Sequence, residues 1–266
     1  MKHSILTGIL ALATGLSGLM AQQAAPQTPA AAPQAKGPSV KSPAEQQAVA
    51  ALQTAGQAND TDGIIKAAED LLAKFADTEF KEWAYSLEAR AYQMKRDDIH
   101  AEIYGTKALD INPKSYQMTL LVGEVVMGHI GEHDIDRDEK LAKAAKAFND
   151  TIELVKTAEK PNPALPDATW AEFKKGEAAE AHNGLGLLAI YRKDYPTAVT
   201  EFKAAIEGDP QDAYTTRLAS AYQLSGNNDE AIALCDKLLA NPQIHPQIKA
   251  AVTSIKSQAT NAKNKK

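Results

Sequence analysis

The sequence predicts an all-α chain, a solenoid of about five helix–turn–helix repeats closed by a C-terminal capping helix. Three observations predict it. The block Ala179 to Asp212 holds Leu185-Gly186, Tyr195, Ala198, Phe202, Ala205 and Pro210, a spacing that reads as two helices joined by a turn. Related spacings recur in register on both sides of it. No stretch shows the sustained alternation of a strand.

The chain opens with Lys2 and an apolar run, Ile5 to Met20, too short and glycine-broken for a comfortable membrane span. Residues 1–21 are therefore expected to be a signal peptide, which makes the protein exported, to the periplasm or beyond. Residues 22–43 are rich in Ala, Gln and Pro, with five prolines and no aromatic residue. They are expected to form a disordered linker, because they cannot bury a core. Residues 44–262 carry the repeats, and residues 263–266 form a basic tail.

The repeats follow in order. A degenerate unit, Ala48 to Lys81, keeps Ala55, Ala67 and Leu71, and Asp60 or Thr61 is placed to N-cap its second helix. The unit Glu82 to Ser115 has Ala89, Tyr92, Ala101, Ala108 and Pro113. The unit from Tyr116 has Val122-Gly123 and Val126. It regains the pattern at Ala144, Phe148 and Ile152 after about nine extra residues. Asp167 is the expected N-cap of a helix running long into Gly184. Beyond the block from Ala179, the unit Asp212 to His245 has Leu218-Ala219, Tyr222, Gly226, Ala231 and Leu238, with Cys235 in the slot of Phe202. Pro113, Pro210 and Pro242 close helices. A capping helix from about His245 to Ala259 sets Ile248, Val252 and Ile255 on one face and Lys249, Lys256 and Gln258 on the other.

These residues resemble the tetratricopeptide repeat, most specifically in the units from Glu82, Ala179 and Asp212. The resemblance implies a right-handed α-solenoid whose first helices line a concave groove that holds a protein or peptide partner. Its lining positions fall here on Trp83, Ser86, Arg90 and Gln93, then Gln117, Leu120, Glu124 and Met127. They continue on Glu180, Asn183, Leu187 and Ile190, then Ala213, Thr216, Ser220 and Gln223. Some family members grip a terminal carboxylate with a Lys and an Asn four residues apart. The pairs here are Ser86/Arg90, Leu120/Glu124, Asn183/Leu187 and Thr216/Ser220, and none matches. Arg90 and Asn183 are the expected polar anchors of the groove.

Other chemistry is thinly supported. His129-Ile130-Gly131-Glu132-His133 has the H-x-x-E-H spacing of inverted zinc proteases. Gly128 and Gly131 weaken the helix that chemistry needs. Asp134, Asp136 and Asp138 start like a calcium loop, but Glu139 and Ala145 stand where a glycine and a bidentate glutamate are required. The acidic run instead suits a helix N-terminus. His182, Trp170 and Phe173 read as packing residues. With a single cysteine, Cys235, no intramolecular disulfide forms. The net charge of −5 argues against nucleic acid as a partner. The expectation is a monomeric, non-enzymatic interaction scaffold with no cofactor and no membrane insertion once the signal is removed. A zinc hydrolase and a self-associating structural module are the alternatives.

Overall fold

The computed structural model describes residues 37–265. The expected signal peptide, residues 22–36 of the expected linker and Lys266 lie outside the described residues. Among those described there are eleven helices and no strand. They are α1 (Pro43–Ala58), α2 (Thr61–Lys74), α3 (Lys81–Met94), α4 (Asp98–Ile111), α5 (Tyr116–Gly128) and α6 (Arg137–Thr157). There follow α7 (Asp167–Tyr191), α8 (Tyr195–Gly208), α9 (Asp212–Leu224), α10 (Asn228–Leu239) and α11 (Pro246–Asn264). Each helix packs on the next, α3 also touches α5, α5 touches α7, and α11 closes over α9 and α10. The fold is an α-solenoid of five helix pairs with a terminal helix.

One turn builds four of the five pairs. Asn59, Arg96, Lys193 and Gly226 each take a positive φ, the left-handed conformation that ends a helix. The next residue's amide then reaches back five residues: Asp60 to the Ala55 carbonyl, Asp97 to Tyr92, Asp194 to Ala189 and Asn227 to Tyr222, at 2.9–3.1 Å. In three of the four, the same residue turns its carboxylate forward as an N-cap. Asp60, Asp97 and Asp194 accept from the amides of Gly63, His100 and Thr197 at 3.0, 3.2 and 3.3 Å. A helix is thus ended and the next one started within three residues, which forces an antiparallel pair.

The second helices bury a stripe at i, i+4 and i+7. It is Ile64, Ala68 and Leu71 in α2, Ala101, Gly105 and Ala108 in α4, and Ala144, Phe148 and Thr151 in α6. It continues as Ala198, Phe202 and Ala205 in α8, and Ala231, Cys235 and Leu238 in α10. Small residues let helices approach, and the phenylalanines fill the space opposite glycines. A Cβ on Gly186 would stand 2.6 Å from the Phe202 ring, and one on Gly184 would stand 2.4 Å from Phe148.

Three local readings are corrected. The first unit runs three residues earlier than expected, so Ile64 takes the slot expected for Ala67, and Ala68, level with Gly105 of α4, is its fully buried small residue. In α6 the buried residue is Thr151 rather than Ile152, its hydroxyl satisfied by the Ala147 carbonyl at 2.9 Å. Pro166, not Asp167, is the N-cap of α7, while Asp167 pairs with Lys160. Trp170 on the extra first turns of α7 is buried, stacks on Phe173 at 5.3 Å and donates its indole N–H to the Ala158 carbonyl. Before α1 the chain lies against the α2–α3 turn: the Ser39 amide donates to Glu79 at 2.9 Å and Lys41 pairs with Asp77 at 2.9 Å.

Candidate interaction face

The first helices α3, α5, α7 and α9 adjoin in order: α3 touches α5, α5 touches α7, and Arg217 of α9 bonds Asn183 of α7. The expected groove residues on them are half-buried, except for two. Leu120 is buried in the core with Val122, Val126 and Leu141. Asn183 is buried at 9% exposure, and its side-chain oxygen accepts from Arg217. Asn183 is thus not the open polar anchor expected of it, since Arg217 and the core claim its side chain. Trp83, Met127, Leu187 and Ile190 lean their sides on the core clusters beneath them. Ser86 donates to Glu82 at 3.1 Å, and Thr216 donates to the Asp212 carbonyl at 2.7 Å. Gln117, Ser220, Gln223 and Ala213 complete the half-buried set.

The middle of this face is a constellation of charges in a water-poor setting. Glu124 of α5 accepts from the Gln93 amide of α3 at 2.9 Å. Burial pushes its carboxyl up to about 7, and the neighbouring Glu180 adds to that. Burial likewise raises Glu177 to about 7, again with Glu180 adding and Arg90 opposing. Burial holds the Arg90 guanidinium below its ordinary range, against the pull of Glu177, Tyr116, Glu82 and Glu124. Tyr116 is pushed up to about 12, first by burial and then by Glu177. On α9, Tyr214 is also raised by burial, with Glu180 and Asp209 contributing, and Arg217 lies 5.9 Å from its ring centre.

Arg90, Tyr116 and Glu177 feel one another, yet none makes a hydrogen bond or ion pair among the described residues. Their donors and acceptors are therefore open to a bound molecule. Sequence reasoning found Arg90, Gln93, Glu124 and Glu180 but missed Tyr116, Glu177, Tyr214 and Arg217. Glu177 lies on the extra turns of α7, before the repeat begins. Arg217 follows the lining position Thr216, and its long side chain carries it back to the face.

The H-x-x-E-H segment does not form a helical pair of histidines. Helix α5 closes at Gly128, His129 caps it, and its Nε2 lies 3.2 Å from Glu102 Oε2. Glu102 also takes Lys143 at 2.6 Å, while His133 is exposed. Among the described residues no group of three His, Cys, Asp or Glu could hold a metal. Asp134 is occupied by the Gly131 amide and Lys140, both at 2.8 Å, and Asp136 is the N-cap of α6. His182 does more than pack: its Nδ1 lies 2.7 Å from Glu201 on α8.

No curated protein matches this chain. Among solved structures it is similar to a thermophilic TPR protein from Thermus thermophilus, at 17% identity, covering 79% of this chain and 98% of that one, with a TM-score of 0.53. It is also similar to a tetratricopeptide repeat protein from Parabacteroides merdae, at 14% identity, 84% and 92% coverage and a TM-score of 0.48. At 17% identity the likeness to the Thermus thermophilus protein speaks of fold alone. A tetratricopeptide-repeat model matches residues 189–255, which spans the end of α7 to the middle of α11. Residues 189–255 thus match the tetratricopeptide repeat, and the turn and buried stripe that recur from pair to pair give the rest of the described chain the same fold.

Proposed function

We propose that this protein is a non-enzymatic scaffold of the cell envelope that holds a peptide or protein partner in the groove lined by its first helices. One observation carries the reading. Across α3, α5 and α7 the face gathers half-buried groups, Arg90, Tyr116 and Glu177, whose hydrogen-bonding capacity the fold leaves unused. Desolvated groups that the fold does not need are what a docking surface offers a partner. Stacked repeats support it further, because they present an extended surface rather than an enclosed pocket. The signal-like residues 1–21 and the linker after them support placement in the envelope. No described helix is long and apolar enough to cross a membrane.

The test is retention of a partner from envelope extract by the wild type, by Arg90→Ala/Tyr116→Phe, and by Glu153→Gln on α6. The partner is expected to be lost from the first variant and kept by the second, with melting temperatures unchanged. Equal retention by all three would place the interface elsewhere on the molecule.

A further inference from the structure

The pair α3–α4 departs from the others at one core slot. Val122 of α5, Leu185 of α7 and Leu218 of α9 fill that slot in their helices, each followed by a small residue. In α3 the slot holds Glu88, followed by Ala89. Glu88 is fully buried, and neither carboxylate oxygen has a hydrogen-bond partner. Its neighbours one turn away on the same face of α3 are Tyr85 and Tyr92, at i−3 and i+4. Tyr104 of α4 spans the two. Its ring centre lies 6.1 Å from that of Tyr85 and 5.4 Å from that of Tyr92, with an interplanar angle of 5° to the latter. The buried carboxyl is therefore walled by three rings that are themselves half-buried.

On the outer side of these rings stands a cation. The Lys107 ammonium lies 4.5 Å from the Tyr104 ring centre and 5.4 Å from that of Tyr85. Lys107 is exposed and makes no hydrogen bond or ion pair among the described residues. The negative faces of two rings hold it, and it acts on the Glu88 carboxyl behind them. A carboxyl in an apolar slot adds nothing to packing and costs stability. What it does add is negative potential under the ring faces.

We propose that Tyr85, Tyr104 and Glu88 form a site for a small quaternary ammonium compound, and that Lys107 is a tethered occupant which such a ligand displaces. A primary ammonium over ring faces finds no protein oxygen there and keeps its N–H bonds to water. A fully methylated ammonium has no N–H to satisfy. Its methyl groups pack on the rings while its charge meets their negative faces. The site uses none of the groove positions of α3, so it stands or falls apart from the groove.

The experiment follows the ring signals of Tyr85 and Tyr104 by NMR in the full chain as choline is added. The second probe is the uncharged isostere of choline, in which a tert-butyl group replaces the trimethylammonium. Lys107→Ala removes an exposed side chain and should leave the melting temperature unchanged. It should bind choline at least about 5-fold more tightly than the wild type, and at least about 5-fold more tightly than it binds the isostere. Adding Glu88→Leu, the residue found in this slot in α7 and α9, should raise the melting temperature yet weaken choline by about 5-fold. A carboxyl with a structural role alone would not give that split. Ring signals of Lys107→Ala that choline leaves unmoved would overturn the site. Equal binding of the isostere would overturn its cationic character, and unchanged choline affinity on adding Glu88→Leu would overturn the part given to Glu88.

Discussion

Glu88 of α3 is fully buried, and neither of its carboxylate oxygens has a hydrogen-bond partner. Burial pushes it up to about 8, the nearby Glu69 adds to this, and Lys107 opposes it. The native protein therefore holds this proton at neutral pH, while the unfolded chain releases it near the ordinary value of about 4.3. Each pH unit between those values draws the equilibrium toward the unfolded state. The penalty is absent below about pH 4.3 and complete above pH 8. Glu88→Gln removes the titration. It should be more stable than the wild type by roughly 5 kcal/mol at pH 8 and nearly equal to it at pH 4.3, read from urea unfolding at the two pH values. A difference that does not change with pH would refute this reading of Glu88. Two glycines make a second residue-level test. Gly226 sits at φ +83 in an αL turn, and Gly176 lies inside α7, and an added Cβ meets nothing within 4 Å at either. Gly226→Ala should lower stability by about 1 kcal/mol through backbone strain alone. Gly176→Ala should raise it by about 1 kcal/mol through helix propensity. Shifts of the same sign in the two melts would contradict the backbone assignment.

At the scale of the element, the helix crossing is the unit of stability. Gly186 of α7 faces Phe202 of α8 so closely that a methyl group would stand 2.6 Å from the ring. Gly186→Ala should therefore cost roughly 1–3 kcal/mol despite alanine's better helix propensity. A melting temperature at or above wild type would mean that α7 and α8 do not cross there. The crossings in the pairs from Glu82, Ala179 and Asp212 were legible in sequence, because Ala101, Ala198 and Ala231 are small residues inside otherwise apolar stripes. The first pair was misregistered. Its stripe, Ile64-Ala68-Leu71, overlaps a second one through Ala67, and periodicity alone does not choose between them. Asn59-Asp60 does choose, since an αL residue followed by an N-capping carboxylate ends α1 and starts α2 as it does in the later pairs. The insertion before α6 and the extra turns of α7 were visible as broken register. Where they sent Glu177 was not, because no repeat position describes a residue outside the repeat.

Across the whole molecule, five helix pairs turn local capping chemistry into a long face whose middle holds desolvated charged groups. The backbone of that face was readable from spacing, since lining positions recur with the repeat. Its electrostatics were not. The couplings join Arg90, Tyr116, Glu124 and Glu177 to one another, and Glu180 to Tyr214 and Arg217, across four helices, and only packing brings them together. Leu120 and Asn183 occupy lining positions but are claimed by the core and by Arg217, which spacing does not reveal. The most direct test of the face as a docking surface is photo-cross-linking in the native cells. A benzophenone amino acid is placed singly at Gln93 or Gln117 on the first helices, and at Glu153 or Lys203 on the second. Adducts of one discrete mass from Gln93 and Gln117, with none from Glu153 and Lys203, are the expected result. Adducts from Glu153 or Lys203 with none from Gln93 and Gln117 would contradict it.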